Sequence, residues 1–278
     1  MKSPGAIGPS VAAGRDPLVS VITVVYNGER YVSDTLVSVR EQEYPHVEHW
    51  VIDGGSTDGT LGIIRRHQDR LAGWISEPDR GIADAFNKGV ARARGDYLMF
   101  LNADDALAHP RALAEMIDCA RQNDWPDVIY GDCDLYDPQS GAFQYRFVIN
   151  YDRERFLRCE TLPHPGMLMS RRYFDTYGNF DIAYRVGMDY ELFLRGIPQI
   201  GALRLPALIT NVRTGGISAR SRALVVEETM RALKKNGHLT ALGEKRMRAA
   251  YAARGAARRA LEALGLYHAF DAMRRGSR

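Results

Sequence analysis

Four short apolar runs begin at Val19, Val47, Ala72 and Tyr97, and segments with helical periodicity separate them. The intervening stretches Glu29–Glu41, Leu61–Arg70 and Ile82–Ala93 carry apolar residues near helical spacing. Repeated strand–helix units of this length require crossover connections, which build a parallel sheet of fixed hand. The first run, VSVITVVY over Val19–Tyr26, is almost wholly apolar and rich in β-branched residues. That composition suits a strand covered on both faces. Each run hands over to polar side chains: Asn27, Asp53, Asp79, and then Asn102, Asp104 and Asp105. In a parallel sheet those ends share one edge, the edge at which open α/β folds bind ligands.

The pattern changes after the predicted helix Pro110–Gln122. Asp127–Gly131 and Gly141–Ile149 read as strands, with turns at Asp132–Asp134 and Asp137–Gly141. A loop through His164-Pro165-Gly166 leads to a strand, Met167–Ser170, and a helix near Arg171–Tyr177. Met188–Gly196 reads as a helix, Gly201–Arg213 as strand-like, and the remainder as helical with breaks near Gly237, Gly255 and Gly265. Residues 1–17, rich in Gly, Ala, Ser and Pro and without an apolar core, read as a disordered leader.

The net charge of +3 conceals an asymmetry. Residues 231–278 hold 12 Lys and Arg against Glu244, Glu262 and Asp271, a balance of +9 that leaves −6 for the rest. An acidic body argues against nucleic acid as a partner, because a binding face would have to lie entirely in the tail. No apolar stretch approaches the roughly 18 residues needed to span a bilayer. Cys119, Cys133 and Cys159 lack metal or redox spacing and read as reduced thiols in a cytoplasmic protein.

Adjacent carboxylates at Asp104 and Asp105 repel unless a positive charge sits with them. A hard divalent cation answers that need and would also offset a bound diphosphate. Oxygen ligands without clustered Cys or His favour Mg²⁺ or Mn²⁺ over zinc. The Gly-rich alternative is missing: Gly54-Gly55-x-x-x-Gly59 fits neither GxGxxG nor GxxxxGK[ST]. Each acid taken alone also has an ordinary reading, Asp104 and Asp105 as caps for the following helix and Asp53 as a turn residue.

The segments VSVITVVYN, VIDGGSTDGT, SEPDRGIADAFNKGVARARGDYLMFLNADD and RRYFDTYGNFDIAYRVGMDYELFLR occur in this order. In that order they resemble the family 2 glycosyltransferases of the GT-A fold, over about residues 18–220. The resemblance implies an α/β fold with a mostly parallel nucleotide-binding sheet over 18–109, flanked by helices. A mixed acceptor-side half over 110–220 and a basic helical extension over 221–278 would follow. It implies non-processive inverting transfer of one sugar from a nucleoside-diphosphate donor to a glycan or lipid-linked glycan, in surface polysaccharide biosynthesis. Membrane helices and the QxxRW motif of the processive synthases are absent from this sequence.

Carried over by position, the resemblance gives Asp53 the nucleobase and places Tyr26 and Asn27 in the nucleoside pocket. Asp79, Arg80 and Asp84 fall near the ribose and sugar. Asn102-Ala103-Asp104 occupies the place of the DxD metal motif with Asn for its first Asp, which leaves the metal to Asp104 and Asp105. Asp189 matches the catalytic base, although its usual Glu neighbour is Met188 here. A sugar hydroxyl needs such a base at neutral pH. An acid in a helix's first turn has a dipole explanation as well.

His164, on its loop, is a candidate contact for acceptor or metal. Arg171 is a candidate for phosphate or an anionic acceptor, with surface ion pairing as the plain alternative for it and Arg172. Gly215-Gly216-Ile217-Ser218 resembles a segment that closes over donor, with a plain connector as the equal alternative. In the tail, Leu261, Leu264, Leu266, Tyr267, Phe270 and Met273 are ringed by Arg254, Arg258, Arg259, Arg274 and Arg275. Such a stretch suits either an anionic inner leaflet or helices packed on the body or on a second copy in a homo-oligomer. Two other functions share parts of the pattern: a sugar-nucleotide pyrophosphorylase, and an inactive nucleotide-sugar-binding protein.

Overall fold

The structure, a computed structural model, describes residues 15–216, 221–249, 251 and 253. Its first strands are β1 (Val19–Val25), β2 (Val47–Asp53), β3 (Gly73–Ser76) and β4 (Tyr97–Asn102). Between them run the helices α1 (Val32–Arg40), α2 (Thr60–His67) and α3 (Ile82–Val90). The four strands are parallel in the order β3-β2-β1-β4, as the alternation of apolar runs predicts. Every residue of β1 is buried, which accounts for its unbroken apolar sequence.

The second half adds β5 (Ala106–Leu107), α4 (Ala112–Gln122), β6 (Val128–Tyr136), β7 (Phe143–Phe147) and α5 (Arg153–Phe156). It continues with β8 (Met167–Ser170), α6 (Arg171–Tyr177), α7 (Met188–Ile200) and β9 (Leu203–Arg213). The sheet goes on from β4 through β8, β6, β9 and β5, and β7 pairs with β6. β8 is antiparallel to both β4 and β6, whereas β6 and β9 are parallel, so this half is mixed.

Helices cover both faces. Val19 and Val21 of β1 join Met99, Leu101, Leu113, Met116 and Ile117 in the core beneath α4. On the other face Gly89 of α3 lies over Ile22, where a Cβ would stand 2.3 Å from the Ile22 Cγ2. Phe86 of α3 meets Phe100 of β4 with ring centroids 4.9 Å apart.

The turn expected at Asp132–Asp134 is absent, because β6 runs straight through it. Both acids are buried there and paired, Asp132 with Arg204 of β9 and Asp134 with Arg146 of β7. Forked guanidinium partners from neighbouring strands remove the penalty that makes paired Asp residues look like a turn. α7 also outruns its expected end and carries Pro198 in its last turn.

The described residues up to Ala232 form one compact unit, and those from Leu233 another. α8 (Arg222–Lys235) begins in the first. In the second, Glu244 pairs with Lys234 and Arg248. Ile217, Ser218 and the apolar and arginine stripes from Arg254 onward lie outside the described residues. No helix among the described residues is long and apolar enough to cross a membrane.

Gly89→Ala forces a methyl group into the Ile22 side chain. It is expected to lower the unfolding free energy by about 1–3 kcal/mol. In urea titrations, Ile22→Ala in the same chain should be less damaging than it is in the wild type.

Candidate active site at the carboxyl edge of the parallel strands

Register sets this edge. Asp53 lies beside Val25 and Ser76, and Asn102 beside Val24, so the strands end at one level. The loops beyond are stitched to one another. Asn27, at φ 50°, accepts the Thr57 N–H on its Oδ1 at 2.8 Å, and its own N–H reaches the Ser56 Oγ at 2.7 Å. Asp53 is wholly buried. Its Oδ2 accepts the N–H groups of Gly55 (3.1 Å) and Ser56 (3.0 Å) and the Ser76 hydroxyl (2.6 Å). Its Oδ1 is buried with no partner.

Gly54 abuts the Asp79 carboxylate, and a Cβ there would lie 2.3 Å from the Asp79 Oδ2. The Asp79 Oδ1 accepts the Gly81 N–H at 2.8 Å, at the start of α3. One turn on, Asp84 accepts the Arg80 N–H (3.1 Å) and guanidinium (3.0 Å), and the Arg80 side chain holds its carboxyl below the usual range. The Tyr26 ring is 65% exposed, a flat apolar face open above the edge.

The loop after β4 treats its acids unequally. Asp104 is partly exposed, and among the described residues no other side chain is paired with its carboxylate. Burial pushes its proton affinity up. Asp105 is buried, with one oxygen accepting the Asn102 Nδ2 at 3.2 Å. Burial, and then the Asp104 charge, hold its carboxyl well above the usual range. Asp105 is therefore withdrawn from the surface, contrary to its expected place beside Asp104 as an open metal ligand.

The Asn102 Oδ1 is buried and unpartnered. Among the described residues no group of three or more His, Cys, Asp or Glu side chains is arranged to hold a metal ion. Even so, the hard oxygens of Asp104 and the orphaned Asn102 carbonyl fit a hard divalent cation, and its charge would relieve the crowding of Asp104 and Asp105.

Sequence reasoning missed Arg213, which organises this loop from the end of β9. Its Nη1 donates to the Asp104 carbonyl (2.9 Å), its Nη2 pairs with Asp34 (2.8 Å), and the guanidinium lies 4.3 Å from the Tyr31 ring centroid. An arginine closing a strand-like run next to the Gly215-Gly216 pair was its one sequence signal.

Asp189 stands apart, in the first turn of α7. Burial, aided by the charge of Glu228, pushes its carboxyl up to about 6, while part of the side chain still meets solvent. No hydrogen bond or ion pair among the described residues ties it to the Asp104 loop.

Two candidates leave the site. His164 is buried, not on an exposed loop. Phe100 stacks on it at 5.4 Å, and Phe86, Phe180 and Phe193 surround it at 5.6–5.8 Å. Burial pushes its ring down to about 4, so it is a neutral core ring. Arg171 is committed to main-chain carbonyls behind α3, at Val90 (3.2 Å), Ala93 (2.7 Å) and Gly95 (3.3 Å). Arg172 pairs with Asp127.

Against this geometry, the pattern of glycosyl transferase family 2 matches residues 20–178, more than half of the chain. The chain belongs to glycosyl transferase family 2. It is an enzyme, a glycosyltransferase, and its fold is of the GT-A type. A PGL/p-HBAD biosynthesis glycosyltransferase of Mycobacterium bovis is 30% identical over 197 residues, 70% of this chain and 73% of the relative. A putative teichuronic acid biosynthesis glycosyltransferase of Bacillus subtilis is 44% identical over 92 residues, 32% and 36% of the two chains.

The fold is also that of residues 1–349 of S. aureus TarS in complex with UDP-GlcNAc. The TM-score is 0.66 at 20% identity, over 83% of this chain and 69% of that one. A Pyrobaculum calidifontis mannosyltransferase in complex with GDP-Man and Mn²⁺ gives a TM-score of 0.59 at 20% identity, over 84% and 67%.

Arg171→Met, which strips three carbonyls of their donor, should lower stability by about 2 kcal/mol. Calorimetric affinity for nucleotide should stay within about twofold if Arg171 is structural. A selective loss of nucleotide affinity would return it to the site.

Proposed function

We propose that the enzyme transfers a sugar, with inversion, from a nucleoside-diphosphate sugar to a hydroxyl of a glycan or lipid-linked glycan in surface polysaccharide synthesis. The observation that carries this reading is an acidic edge where, among the described residues, no side-chain cation is paired with Asp104 or Asp105, at the level where Asp53 keeps an unpaired acceptor. A nucleotide and a divalent ion together complete both. For the nucleobase, Tyr26 offers a stacking face, and the unpartnered Asp53 oxygen is the acceptor for a base N–H. Asn27 and Asp79 shape the walls, and Arg80 and Asp84 border the ribose and sugar. Mn²⁺ or Mg²⁺ held through Asp104, with Asn102 beside it, would supply positive charge against the departing diphosphate. The teichuronic acid relative supports a surface polysaccharide as product, and the Mn²⁺ in the mannosyltransferase supports the metal.

Chemistry at the sugar rests with Asp189. As an anion it takes the acceptor hydroxyl's proton while the new C–O bond forms and the bond to the diphosphate oxygen breaks. Attack on the face opposite the leaving group inverts the anomeric carbon. A carboxyl held near 6 is a stronger base than a free aspartate and is still mostly ionised at pH 7.5. On this reading residues 18–220 hold the groups that meet donor, metal and acceptor, and the basic extension within residues 221–278 serves membrane contact or self-association.

Release of nucleoside diphosphate from UDP-, GDP- and dTDP-sugars with Mn²⁺ or Mg²⁺ tests the proposal. Asp189→Asn should bind donor as the wild type does and lose turnover by at least about a hundredfold. Unchanged turnover removes the base, and release of pyrophosphate favours pyrophosphorylase chemistry.

The wild-type kcat should fall as pH drops through about 6, because protonated Asp189 cannot accept a proton. The same raised carboxyl opposes folding progressively as pH rises from the ordinary aspartate value of about 3.8 to about 6, and fully above it, since the unfolded chain ionises it more easily. Asp189→Asn should therefore gain about 1–3 kcal/mol of stability at pH 7.5, a gain that shrinks toward pH 5. Denaturant titration at the two pH values measures it.

Asp53→Asn, which keeps shape but replaces one acceptor with a donor, should weaken uracil-nucleotide binding by about 10–100-fold. Isothermal calorimetry with UDP provides the check.

A further inference from the structure

The loop that delivers Asp189 is gripped by a helix far along the chain. Glu228 of α8 is 2% exposed, and its carboxylate accepts three consecutive main-chain N–H groups. Arg185 donates to Oε1 at 2.9 Å, and Val186 and Gly187 each donate to Oε2 at 2.8 Å. Arg231, one turn on, donates to the Ala183 carbonyl at 2.7 Å and stacks on Tyr184 at 4.1 Å. It also contacts Glu228 at 3.4 Å. Residues 183–187 are thus held at both a carbonyl and three N–H groups by two side chains one turn apart.

Gly187, the residue before α7, lies against Glu228. A Cβ there would be 3.3 Å from the Glu228 Cβ, tight enough that a side chain would pry the two apart. Asp189 is two residues further on. A buried carboxylate bound by main-chain N–H groups is fixed far more firmly than an exposed ion pair.

We propose that Glu228, braced by Arg231, is the positioning residue of the catalytic base. By binding the 185–187 main chain, which ends two residues before Asp189, it fixes the start of α7. This rests on the reading of Asp189 as base. Other charged groups nearby are otherwise engaged or placed. Arg231 is bound to Glu228 and Ala183, Glu191 is paired with Arg195 on α7, and Arg185 is exposed. The Glu228 charge adds, after burial, to the rise of the Asp189 carboxyl.

The test is the pH dependence of kcat and KM for wild type, Glu228→Gln and Glu228→Asp, with donor affinity from calorimetry. In Glu228→Gln, donor Kd and KM should stay within about twofold while kcat at pH 7.5 falls about tenfold or more. The acid limb of kcat should move to lower pH, because the neighbouring charge is gone. Glu228→Asp keeps the charge on a shorter arm, so its limb should return toward the wild-type position with part of kcat.

An unmoved limb in Glu228→Gln overturns the proposal, as does a parallel loss of donor affinity. Should that variant fail to fold, Arg231→Gln loosens the brace and leaves the carboxylate. It should lower kcat by about threefold or more with donor Kd unchanged, and an unaltered kcat sinks the idea. Failure of the underlying reading looks different: Asp189→Asn would then retain turnover. Loss of turnover in Asp189→Asn beside a wild-type Glu228→Gln removes Glu228 alone.

Discussion

β1 is hydrogen-bonded to a parallel strand on each side and buried along its whole length, and the arrangement of the site follows from that constraint. Because Val25 pairs with Asp53 and Val24 with Asn102, the loops that follow three different strands begin at one height. A slip of one residue in either ladder would turn Asp53 or Asn102 to the opposite face of the sheet. The strand's apolar contacts on both faces hold the register, with α3 over Ile22 and α4 beneath Val19 and Val21.

On that frame the chain handles buried carboxylates in two ways. Asp132, Asp134, Glu48, Glu191 and Glu228 are each met by a guanidinium, by main-chain N–H groups or by both. Those acids hold strands and loops together. Among the described residues no side-chain cation lies in salt-bridge reach of Asp104, Asp105 or Asp189, and burial raises all three. An acid left short of positive charge inside a folded protein is a standing cost. On the proposed function Asp104 serves the metal and Asp189 the proton, in keeping with the tendency of such uncompensated acids to mark functional sites.

Much of this was legible in the residues. The strand runs, the shared edge and the parallel order follow from apolar periodicity and from where each run stops, and Asp53, Asn102 and Asp104 stand where that reasoning puts them. What escaped depends on partners distant in sequence. The Asp132–Asp134 segment looks like a turn until Arg146 and Arg204 are brought beside it. His164 looks like a loop histidine until four phenylalanines close around it. Arg171 looks available for a ligand until the carbonyls behind α3 take up its guanidinium. Arg213 and Glu228 lie more than a hundred and some forty residues from the loops they hold, beyond the reach of any local pattern.

The asymmetry of Asp53 has a bearing on how nucleotide choice could drift. One carboxylate oxygen is consumed in shaping the turn at Gly55 and Ser56, so the loop is organised before any ligand arrives. The other oxygen is buried without a partner, and on the proposed function it is the one that meets the base. On that reading, architecture and recognition are divided between two atoms of one side chain. A change of base preference could then proceed by altering what surrounds the idle oxygen while the scaffold stays intact, whereas replacing the residue itself would disturb both at once.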